Sequence, residues 1–280
     1  MTVLEAIQKS ADFLAKKQVE SPRLQVELLL SHLLKLPRLK LYLNFNRALS
    51  PAETDALREL VVRRAQREPL QHITGSTSFC GFEMAVNRHA LIPRPETEML
   101  AEGGWQFLLQ RPAPCALDFG TGTGCIAIAL AAKCPGAKIV AADISPDALA
   151  LAKDNAARNG VAGQIEFVQV EGPGQWPGAP YDLIISNPPY IATAEIATLE
   201  PEVRDFDPRI ALDGGADGLD FYRLLAAQAR PFLKDGGKMM LEFGDGQADA
   251  LRNIFGDENW IVEAVREDYS QRARILVARA

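Results

Sequence analysis

The chain has 280 residues, of which 48% are hydrophobic and 24% are charged, a composition that supports a large buried core and is typical of globular proteins. Its formal net charge of −6 argues against the basic surface of a protein that binds nucleic acid over most of its length. No apolar run is long enough for a membrane span or a secretion signal, so we expect a cytoplasmic protein. The four cysteines are too scattered for a metal site or a disulfide network, and we expect no metal.

The first quarter of the sequence has the apolar spacing of amphipathic helices. The predicted helices are 2–17, 22–35 and 50–68. The third begins with a capping box, in which Ser50 is the N-cap, Pro51 takes the first helical position and Glu53 follows three residues after the cap. We therefore predict a small all-helical domain over residues 1–72. It carries 12 basic and 8 acidic residues, whereas the rest of the chain has a net charge of −10.

Short runs of aromatic and β-branched residues then predict a β-hairpin linker over residues 73–90. Beyond it, helical patterns alternate with strands. The predicted strands are 115–119, 137–142, 164–169, 181–186, 238–243, 260–266 and 273–278. We expect helices between the first five strands, which gives a mostly parallel sheet with helices on both faces. The connection between the last two strands is too short for a helical crossover, so they should pair antiparallel.

These elements predict an α/β, Rossmann-like domain over residues 91–280. Its seven strands, ending in an antiparallel hairpin, resemble the class I S-adenosylmethionine methyltransferases. At this point the resemblance concerns the fold alone and implies no particular substrate.

A glycine-rich turn follows the first strand of this domain. The segment from Asp118 to Gly124 reads Asp-Phe-Gly-Thr-Gly-Thr-Gly and leads into a helical pattern. Glycines permit a sharp turn and the close approach of a ligand, while the start of the helix offers free N–H groups. The turn lacks the Gly-Lys-Ser/Thr of a P-loop and the Gly-x-Gly-x-x-Gly spacing of many dinucleotide sites. With an acid at the strand end, it resembles motif I of S-adenosylmethionine enzymes.

Two acidic residues follow the next two strands. Asp143 ends the second strand about 20 residues after the glycines, where a carboxylate can accept from both hydroxyls of an adenosyl ribose. Ser145 is a good N-cap for the helix that follows, so Asp143 is not needed for that role. Glu171 follows the third strand, where enzymes of this class often have an acid that accepts from the adenine amino group. The alternative for Glu171 is a solvated loop acid.

The most specific motif is Asn187-Pro188-Pro189-Tyr190, directly after the fourth strand, where open α/β sheets bind their ligands. The two prolines remove backbone donors and stiffen the turn, so that carbonyl groups can project into the site. The Asn187 side-chain oxygen and the Pro188 carbonyl can accept both hydrogens of a planar NH2 group, and Tyr190 offers an aromatic wall. The motif therefore predicts methyl transfer to an amide-type nitrogen, with these four residues as the catalytic and substrate-binding set.

Two groups of enzymes share this motif, amino-methyltransferases of DNA or RNA and glutamine methyltransferases of proteins, and other segments separate them. The run Leu91-Ile-Pro-Arg-Pro-Glu-Thr-Glu98 precedes the glycine turn, and Ala211-Leu-Asp-Gly-Gly-Ala-Asp-Gly-Leu219 follows the motif after the fourth strand. In their order and spacing, along almost the whole chain, these segments resemble the bacterial release factor glutamine N5-methyltransferases, the HemK/PrmC family.

The resemblance implies transfer of a methyl group from S-adenosylmethionine to the glutamine amide in the Gly-Gly-Gln motif of peptide-chain release factors, with S-adenosylhomocysteine as the second product. It implies that the three glycines of the turn line the methionine part of the cofactor, that Asp143 contacts the ribose and that Asn187 to Tyr190 hold the amide. The residues expected at the cofactor are Asp118, Gly120, Thr121, Gly122, Thr123, Gly124, Asp143, Glu171, Gly172 and Asn187.

The adenine side departs from the family pattern, which often has an acid followed by tryptophan after the third strand. Here Gly172 follows Glu171, and Trp176 is the candidate for the missing aromatic contact. Arg94 and its neighbours are expected to order the turn over the cofactor. The residues from Asp213 to Asp220 are expected to form a loop and the start of a helix.

Two other substrates stay open at this stage. A close relative methylates a glutamine of a large-subunit ribosomal protein and shares most of these motifs. An amino-methyltransferase of DNA or RNA adenine would need a basic and aromatic surface for a flipped base, but the predicted catalytic domain is acidic. We expect release factors as partners, no stable nucleic-acid or membrane binding, and a monomer. The helical domain is the candidate for docking the substrate protein.

Overall fold

The computed structural model describes residues 1–172, 174–178 and 180–280, and these form two compact units. The first unit consists of Met1–Ser76 and Glu200–Phe206, and the second of Thr77–Leu199 and Asp207–Ala280. This division differs from the predicted boundaries in two respects: helical structure continues past residue 72, and the short segment Glu200–Phe206 packs with the first unit. None of the described helices is long and apolar enough to cross a membrane.

The first unit is built from helices. They are α1 (Val3–Lys16), α2 (Pro22–Leu34), α3 (Arg38–Tyr42), α4 (Pro51–Ala65) and α5 (Leu70–Thr74). Apolar side chains of α1, α2 and α4 form one core, in which Ile7, Leu29 and Leu57 are buried. The capping box of α4 is confirmed, because Ser50 Oγ accepts from the Glu53 amide at 3.2 Å and the Glu53 carboxylate accepts from the Ser50 amide at 2.9 Å.

Two arginines of the first unit hold the segment Glu200–Phe206, which contains the short helix α9 (Pro201–Arg204). Arg64, which is buried, lies 2.7 Å from the Glu202 carboxylate, and Arg67 lies 2.5 Å from the same carboxylate and 2.8 Å from Glu200. Burial works to raise the pKa of Glu202, but hydrogen bonds from Arg67 and Arg64 outweigh it, so the pKa is lowered. Apolar periodicity carries no sign of these long-range ion pairs.

The second unit contains most of a hairpin and all of a seven-stranded sheet. Its helices and the strands are β1 (Ser76–Phe79), β2 (Phe82–Ala85), α6 (Pro95–Leu108), β3 (Cys115–Phe119), α7 (Cys125–Lys133), β4 (Lys138–Asp143), α8 (Pro146–Arg158), β5 (Ile165–Gln169), β6 (Tyr181–Ser186), α10 (Asp220–Gln228), β7 (Leu233–Glu242), α11 (Ala248–Asp257), β8 (Ile261–Glu267) and β9 (Ala273–Arg279). The sheet order is β5-β4-β3-β6-β7-β9-β8, with β9 antiparallel to both of its neighbours. The predicted class I methyltransferase fold with a terminal hairpin is confirmed.

Helices cover both faces of this sheet. On one face α6, α7 and α8 bury residues such as Leu100 and Leu130 against the strands, and on the other α10 and α11 bury Tyr222 and Phe255. Successive residues of β3 point to opposite faces, so Ala116 joins the first cluster and Leu117 the second. A strand that is buried on both faces reads as a continuous apolar run, which is why these strands were recognisable in the sequence.

The expectation of a helix between every pair of the first five strands is wrong at one place. Between β5 and β6, the described residues 170–172, 174–178 and 180 contain no helix. The segment is rich in glycine and proline, which disfavour helical structure. β7 also begins earlier than predicted, at Leu233 rather than residue 238, and it pairs with β6 through an irregular register near its start.

The order of the strands determines where a ligand can bind. From β3 the chain proceeds through β4 and β5 on one side of the sheet and then returns to β6 and β7 on the other side. The adjacent strands β3 and β6 therefore feed connections that run in opposite directions, which leaves a crevice at their carboxyl ends. The glycine turn follows β3 and the Asn187 motif follows β6, so the fold brings both motifs to this crevice.

Candidate active site

A cavity of the second unit lies at the carboxyl ends of β3, β4 and β6. Its walls come from the segment before α6, from the glycine turn, from the start of α8 and from the Asn187 motif. Of the residues predicted at the site, those that line the cavity are Gly120, Thr121, Gly122, Thr123, Asp143, Gly172, Asn187, Pro188 and Pro189. Asp118, Gly124, Glu171 and Tyr190 are not among the lining residues.

The glycine turn forms a backbone cradle. Gly120, Gly122 and Gly124 all have left-handed backbone conformations, with φ of 76°, 55° and 80°. A Cβ atom at Gly120 would meet no atom within 4 Å, so the backbone there stands open. At Gly124 a Cβ atom would come within 3.0 Å of the Ala152 side chain, so this glycine lets α7 and α8 pack closely. The turn therefore has free space beside Gly120, whereas Gly124 is packed against α8.

Asp118 lies behind the turn and is fully buried. Its Oδ2 accepts from Thr121 Oγ1 at 2.6 Å and from the Ala127 amide at 3.1 Å, which ties the turn to the first residues of α7. Among the described residues, nothing donates to its Oδ1. Burial raises the pKa of Asp118 to about 7. A buried acid with a spare oxygen behind an open backbone cradle suits a ligand that has a polar, positively charged end.

Asp143 joins the turn to the next strand and also faces the cavity. Its Oδ2 accepts from the Gly122 amide at 2.8 Å, and its Oδ1 accepts from the Ser145 amide at 2.9 Å. Burial raises its pKa, although these amide bonds oppose the shift. The predicted N-cap is confirmed, because Ser145 Oγ accepts from the Ala148 amide at 3.1 Å. Each carboxylate oxygen keeps a lone pair, so Asp143 can support the turn and bind hydroxyl groups at once.

Apolar residues continue the wall beyond Asp143. Phe119, Ile144 and Val170 line the cavity there, and none of them was predicted as a site residue. Trp176 stacks behind Phe119, with ring centroids 5.0 Å apart and planes inclined by 17°. Trp176 therefore supports an aromatic wall and is not itself a lining residue. Glu171 is exposed, which agrees with the alternative of a solvated loop acid.

The Asn187 motif closes the opposite end. Asn187 Nδ2 donates to Thr97 Oγ1 at 3.1 Å, which leaves its side-chain oxygen as the free end of the amide. Within the described part of the chain, no group donates to that oxygen or to the Pro188 carbonyl. Two free acceptors thus adjoin the cavity. Tyr190 packs against the apolar cluster under α10 and α11, and burial raises the pKa of its hydroxyl to about 12.

The loop before α10 packs on the backbone of this motif. The Ile191 amide donates to the Leu212 carbonyl at 3.0 Å, and Gln247 Nε2 donates to the Tyr190 carbonyl at 2.9 Å. Gly218, with φ of 76°, lies so close to the Tyr190 carbonyl that a Cβ atom would overlap it. The predicted loop and helix start over residues 213–220 are confirmed, since α10 begins at Asp220.

A buried ion pair fixes the side of the cavity formed by the segment before α6. Arg94 Nη2 lies 2.6 Å from the carboxylate of Asp207, whose side chain is fully buried. Burial raises the pKa of Asp207, and Arg94 opposes that shift. Arg94 itself lines the cavity, so the pair orders this part of the cavity wall. Asp207 belongs to no recognisable local motif, and Thr97 lies in the run over residues 91–98 but had no predicted role of its own.

The arrangement fits the cofactor that the sequence suggests. The open turn with Asp118 behind it can receive an amino acid end, Asp143 can accept from ribose hydroxyls, and Phe119, Ile144 and Val170 suit a flat base. The two free acceptors, Asn187 Oδ1 and the Pro188 carbonyl, belong to lining residues of the same cavity. A methyl donor and a planar NH2 group can therefore meet inside one cavity.

Comparison with known proteins agrees with this geometry. Residues 5–75 match the PrmC N-terminal domain, and residues 104–200 match the methyltransferase small domain. Among solved structures, a methyltransferase from Pyrococcus furiosus has a TM-score of 0.57 at 20% identity, covering 77% of this chain and 98% of its own. At that identity the likeness shows the fold alone.

Two relatives are far more similar in sequence. A release factor glutamine methyltransferase from Geobacter sulfurreducens is 46% identical over 256 residues, which cover 91% of this chain and 88% of the relative. Another from Chlorobaculum tepidum is 40% identical over 288 residues, covering 100% of this chain and 97% of the relative. Likeness of this extent, through both the helical and the α/β parts, shows that the chain belongs to the release factor glutamine methyltransferases, a family of S-adenosylmethionine-dependent enzymes.

Proposed function

We propose that the chain methylates the side-chain amide nitrogen, N5, of the glutamine in the Gly-Gly-Gln motif of peptide-chain release factors. The observation that carries the proposal is the pair of free acceptors, the Asn187 side-chain oxygen and the Pro188 carbonyl, at the end of the cavity opposite Asp143. A primary amide has two N–H donors, so two acceptors match it in number. The names of the similar proteins agree with a glutamine substrate in a release factor.

The residues of this chain bind and orient, and they supply no strong base. Bound S-adenosylmethionine supplies the methyl group. Asn187 Oδ1 and the Pro188 carbonyl would accept the two amide hydrogens, which would orient the nitrogen toward the methyl donor and favour partial loss of its conjugation. The transfer would leave S-adenosylhomocysteine, because the new bond from nitrogen to the methyl carbon would replace the bond from that carbon to sulfur. The methylated nitrogen is strongly acidic and loses one proton to water.

We propose that Asp143 binds the ribose and that Gly120 and Gly122 line the methionine part of the cofactor. Asp118 would then act from behind the turn on the methionine ammonium group, because it has an unpartnered buried oxygen. Thr121, Thr123 and Gly124 support the same turn. The adenine contact is assigned to Phe119, Ile144 and Val170, with Glu171 and Gly172 at its exposed edge.

We also propose that the helical domain docks the substrate protein. It has a net basic charge. Two of its leucines, Leu39 of α3 and Leu43 directly after α3, are 80% and 85% exposed and lie one helical turn apart. Lys35 and Lys40 flank them and are exposed as well. An apolar pair within a basic rim suits an acidic protein surface that has an apolar centre. A substrate in the translation machinery would place the reaction in the cytoplasm.

The substrate assignment is tested by mass spectrometry. A release factor, a large-subunit ribosomal protein and DNA are each incubated with the enzyme and methyl-labelled S-adenosylmethionine. We expect one methyl group on the Gly-Gly-Gln glutamine of the release factor. Label on the ribosomal protein alone would favour the related glutamine activity, and label on DNA alone would overturn the amide assignment.

The role of Asn187 is tested by single-turnover methyl transfer to a folded release factor. Asn187→Ala removes one acceptor and should slow the transfer about 100-fold, with little change in cofactor affinity. Asn187→Asp keeps an acceptor but adds charge, so it should retain more activity than alanine and less than the parent. A rate close to the parent in Asn187→Ala would mean that other groups hold the amide.

The docking role is tested by comparing an intact release factor with a short Gly-Gly-Gln peptide. Replacing both Leu39 and Leu43 by serine should raise KM for the intact factor about tenfold and leave the peptide unaffected. Leu109→Ser, which alters a leucine that is 62% exposed in the second unit, is the matched control. An unchanged KM for the intact factor would remove this surface from docking.

A further inference from the structure

A buried acid lies directly behind the Asn187 motif. Glu242 is the last residue of β7 and is 3% exposed. β7 pairs in parallel with β6, and Leu241 is in register with Ser186. Glu242 is therefore the neighbour of Asn187 across the ends of two adjacent strands. It is not a lining residue of the cavity, and the mechanism above does not use it.

The side chain of Glu242 interacts with Asn187 and with Thr97, the residue to which Asn187 donates. Burial raises the pKa of Glu242 to about 7, while hydrogen bonds with Thr97 and Asn187 act to lower it. Thr97 is 3% exposed and accepts from Asn187 Nδ2 at 3.1 Å. Glu242 Oε2 has no hydrogen-bond partner among the described residues. The three side chains form one polar cluster, in which Glu242 Oε2 is a buried oxygen without a partner among the described residues.

The direction of the hydrogen bonds in this cluster decides what Asn187 presents to the substrate. A threonine hydroxyl has one hydrogen to donate. If Thr97 donates it to the Glu242 carboxylate, its lone pairs remain available for Asn187 Nδ2, and Asn187 must turn its oxygen to the cavity. If Thr97 donated to Asn187 instead, the asparagine would present its NH2 group to the NH2 group of the substrate, and two donors would oppose each other.

We infer that Glu242 is a positioning residue that acts through Thr97 to hold the oxygen of the Asn187 side chain toward the substrate amide. The inference rests on the proposed function, because it assigns a support to the acceptor named there. An ionised carboxylate can only accept, so it fixes the direction of the Thr97 hydrogen. A buried polar cluster of this kind strongly favours one arrangement, since any group left unsatisfied is costly.

The inference implies a pH dependence. Protonated Glu242 can donate to Thr97 and no longer fixes the direction of that bond, so the methyl-transfer rate should fall as the pH drops below about 7. The charged groups near Glu242 are Glu96, which raises its pKa, and Arg274, which lowers it. Tyr190 and Tyr222 also face it, and both stay neutral in this range because their pKa values are raised.

The experiment measures single-turnover methyl transfer between pH 5.5 and 8.5, with cofactor affinity and urea unfolding in parallel. Thr97→Val removes the relay and should slow the transfer about 10- to 100-fold at every pH, whereas Thr97→Ser keeps the hydroxyl and should stay close to the parent. Glu242→Gln cannot ionise, and its amide can donate to Thr97 as the protonated acid can. It should transfer at every pH at about the low-pH rate of the parent, with no inflection near pH 7.

Glu96→Gln is the matched control, since it removes a like charge near Glu242 from an exposed position on α6. It should move the inflection to lower pH and leave the rate at pH 8 unchanged. Parent-like rates in Thr97→Val, or an intact inflection in Glu242→Gln, would overturn the inference. Asn187→Ala is run beside them. If it is slow while Thr97→Val is not, the inference fails and the proposed function stands; if it is as fast as the parent, the proposed function fails.

Discussion

The two ends of the cavity are built in different ways. The end that follows β3 and β4 is held by residues near one another in the chain, as Asp143 contacts Gly122 and Asp118 contacts Thr121. The end that follows β6 is held by residues from distant elements. Asn187 is bound by Thr97 of α6, and the Tyr190 carbonyl by Gln247 at the start of α11. Local sequence thus specifies the proposed cofactor end, while tertiary packing specifies the proposed substrate end.

This difference predicts that the substrate end can be damaged without loss of the cofactor end, and Gly218→Ala is the strongest way to do so. A Cβ atom at Gly218 would overlap the Tyr190 carbonyl, and the residue has a left-handed backbone. We expect the free energy of unfolding to fall by about 2–5 kcal/mol, from backbone strain and overpacking together. Single-turnover transfer should slow about 100-fold as the motif shifts, with cofactor affinity nearly unchanged.

Gly246→Ala is the control for backbone strain, because Gly246 has φ of 77° but a Cβ atom there would meet nothing within 4 Å. It should lose only about 1–2 kcal/mol of stability and keep its activity. Urea unfolding and rapid-quench transfer measure both effects. If Gly218→Ala and Gly246→Ala lost the same stability and transferred methyl groups at the same rate, the loop before α10 would not hold the Asn187 motif.

The opposite selectivity is expected for Asp143→Ala at the cofactor end. The variant loses the carboxylate that holds Gly122 and, under the proposed function, binds two ribose hydroxyls. Charge-assisted hydrogen bonds contribute about 1.5–3 kcal/mol each, so cofactor affinity should fall about 100-fold or more. Asp147→Ala changes an acid of the same loop and helix start that is 67% exposed, and its affinity should match the parent. Titration calorimetry that finds equal affinities for all three proteins would remove Asp143 from the ribose site.

The same difference explains how much the sequence could reveal. Short apolar runs between helical patterns predicted all seven strands of the sheet, and Ser50 and Ser145 predicted the starts of two helices. These signals are local in the sequence. The glycine turn and the Asn187 motif were visible for the same reason. The roles of Thr97, Asp207 and Glu242 were not visible, since a single threonine or acid becomes part of a site only when the fold brings it beside another element.

Two further differences have physical causes of the same kind. The segment Glu200–Phe206 joins the first unit through ion pairs with arginines more than 130 residues earlier, which no periodicity reveals. The absent helix between β5 and β6, within the described residues, follows from a local run of glycine and proline that the alternating pattern of the domain outweighed in the prediction. A regular alternation of strand and helix patterns is strong evidence for the strands and weaker evidence that each connection contains a helix.

The last expected effect concerns Asp118, where a variant can separate support of the turn from contact with the cofactor. Its ordinary pKa of 3.8 is raised to about 7 by burial, so between about pH 4 and 7 the folded chain keeps a proton that the unfolded chain has lost. Stability from this group is therefore greatest below pH 4 and decreases as the pH rises toward 7.

Asp118→Asn cannot ionise, yet its side-chain oxygen can still accept from Thr121 and Ala127. The difference in unfolding free energy, variant minus parent, should rise by about 4 kcal/mol from pH 4 to pH 8, because the pKa is raised from 3.8 to about 7. Urea unfolding at both values measures it, with exposed Asp147→Asn as the control. A constant difference would mean that Asp118 is ionised throughout, and a parent-like cofactor affinity in Asp118→Asn at pH 8 would restrict its role to the turn.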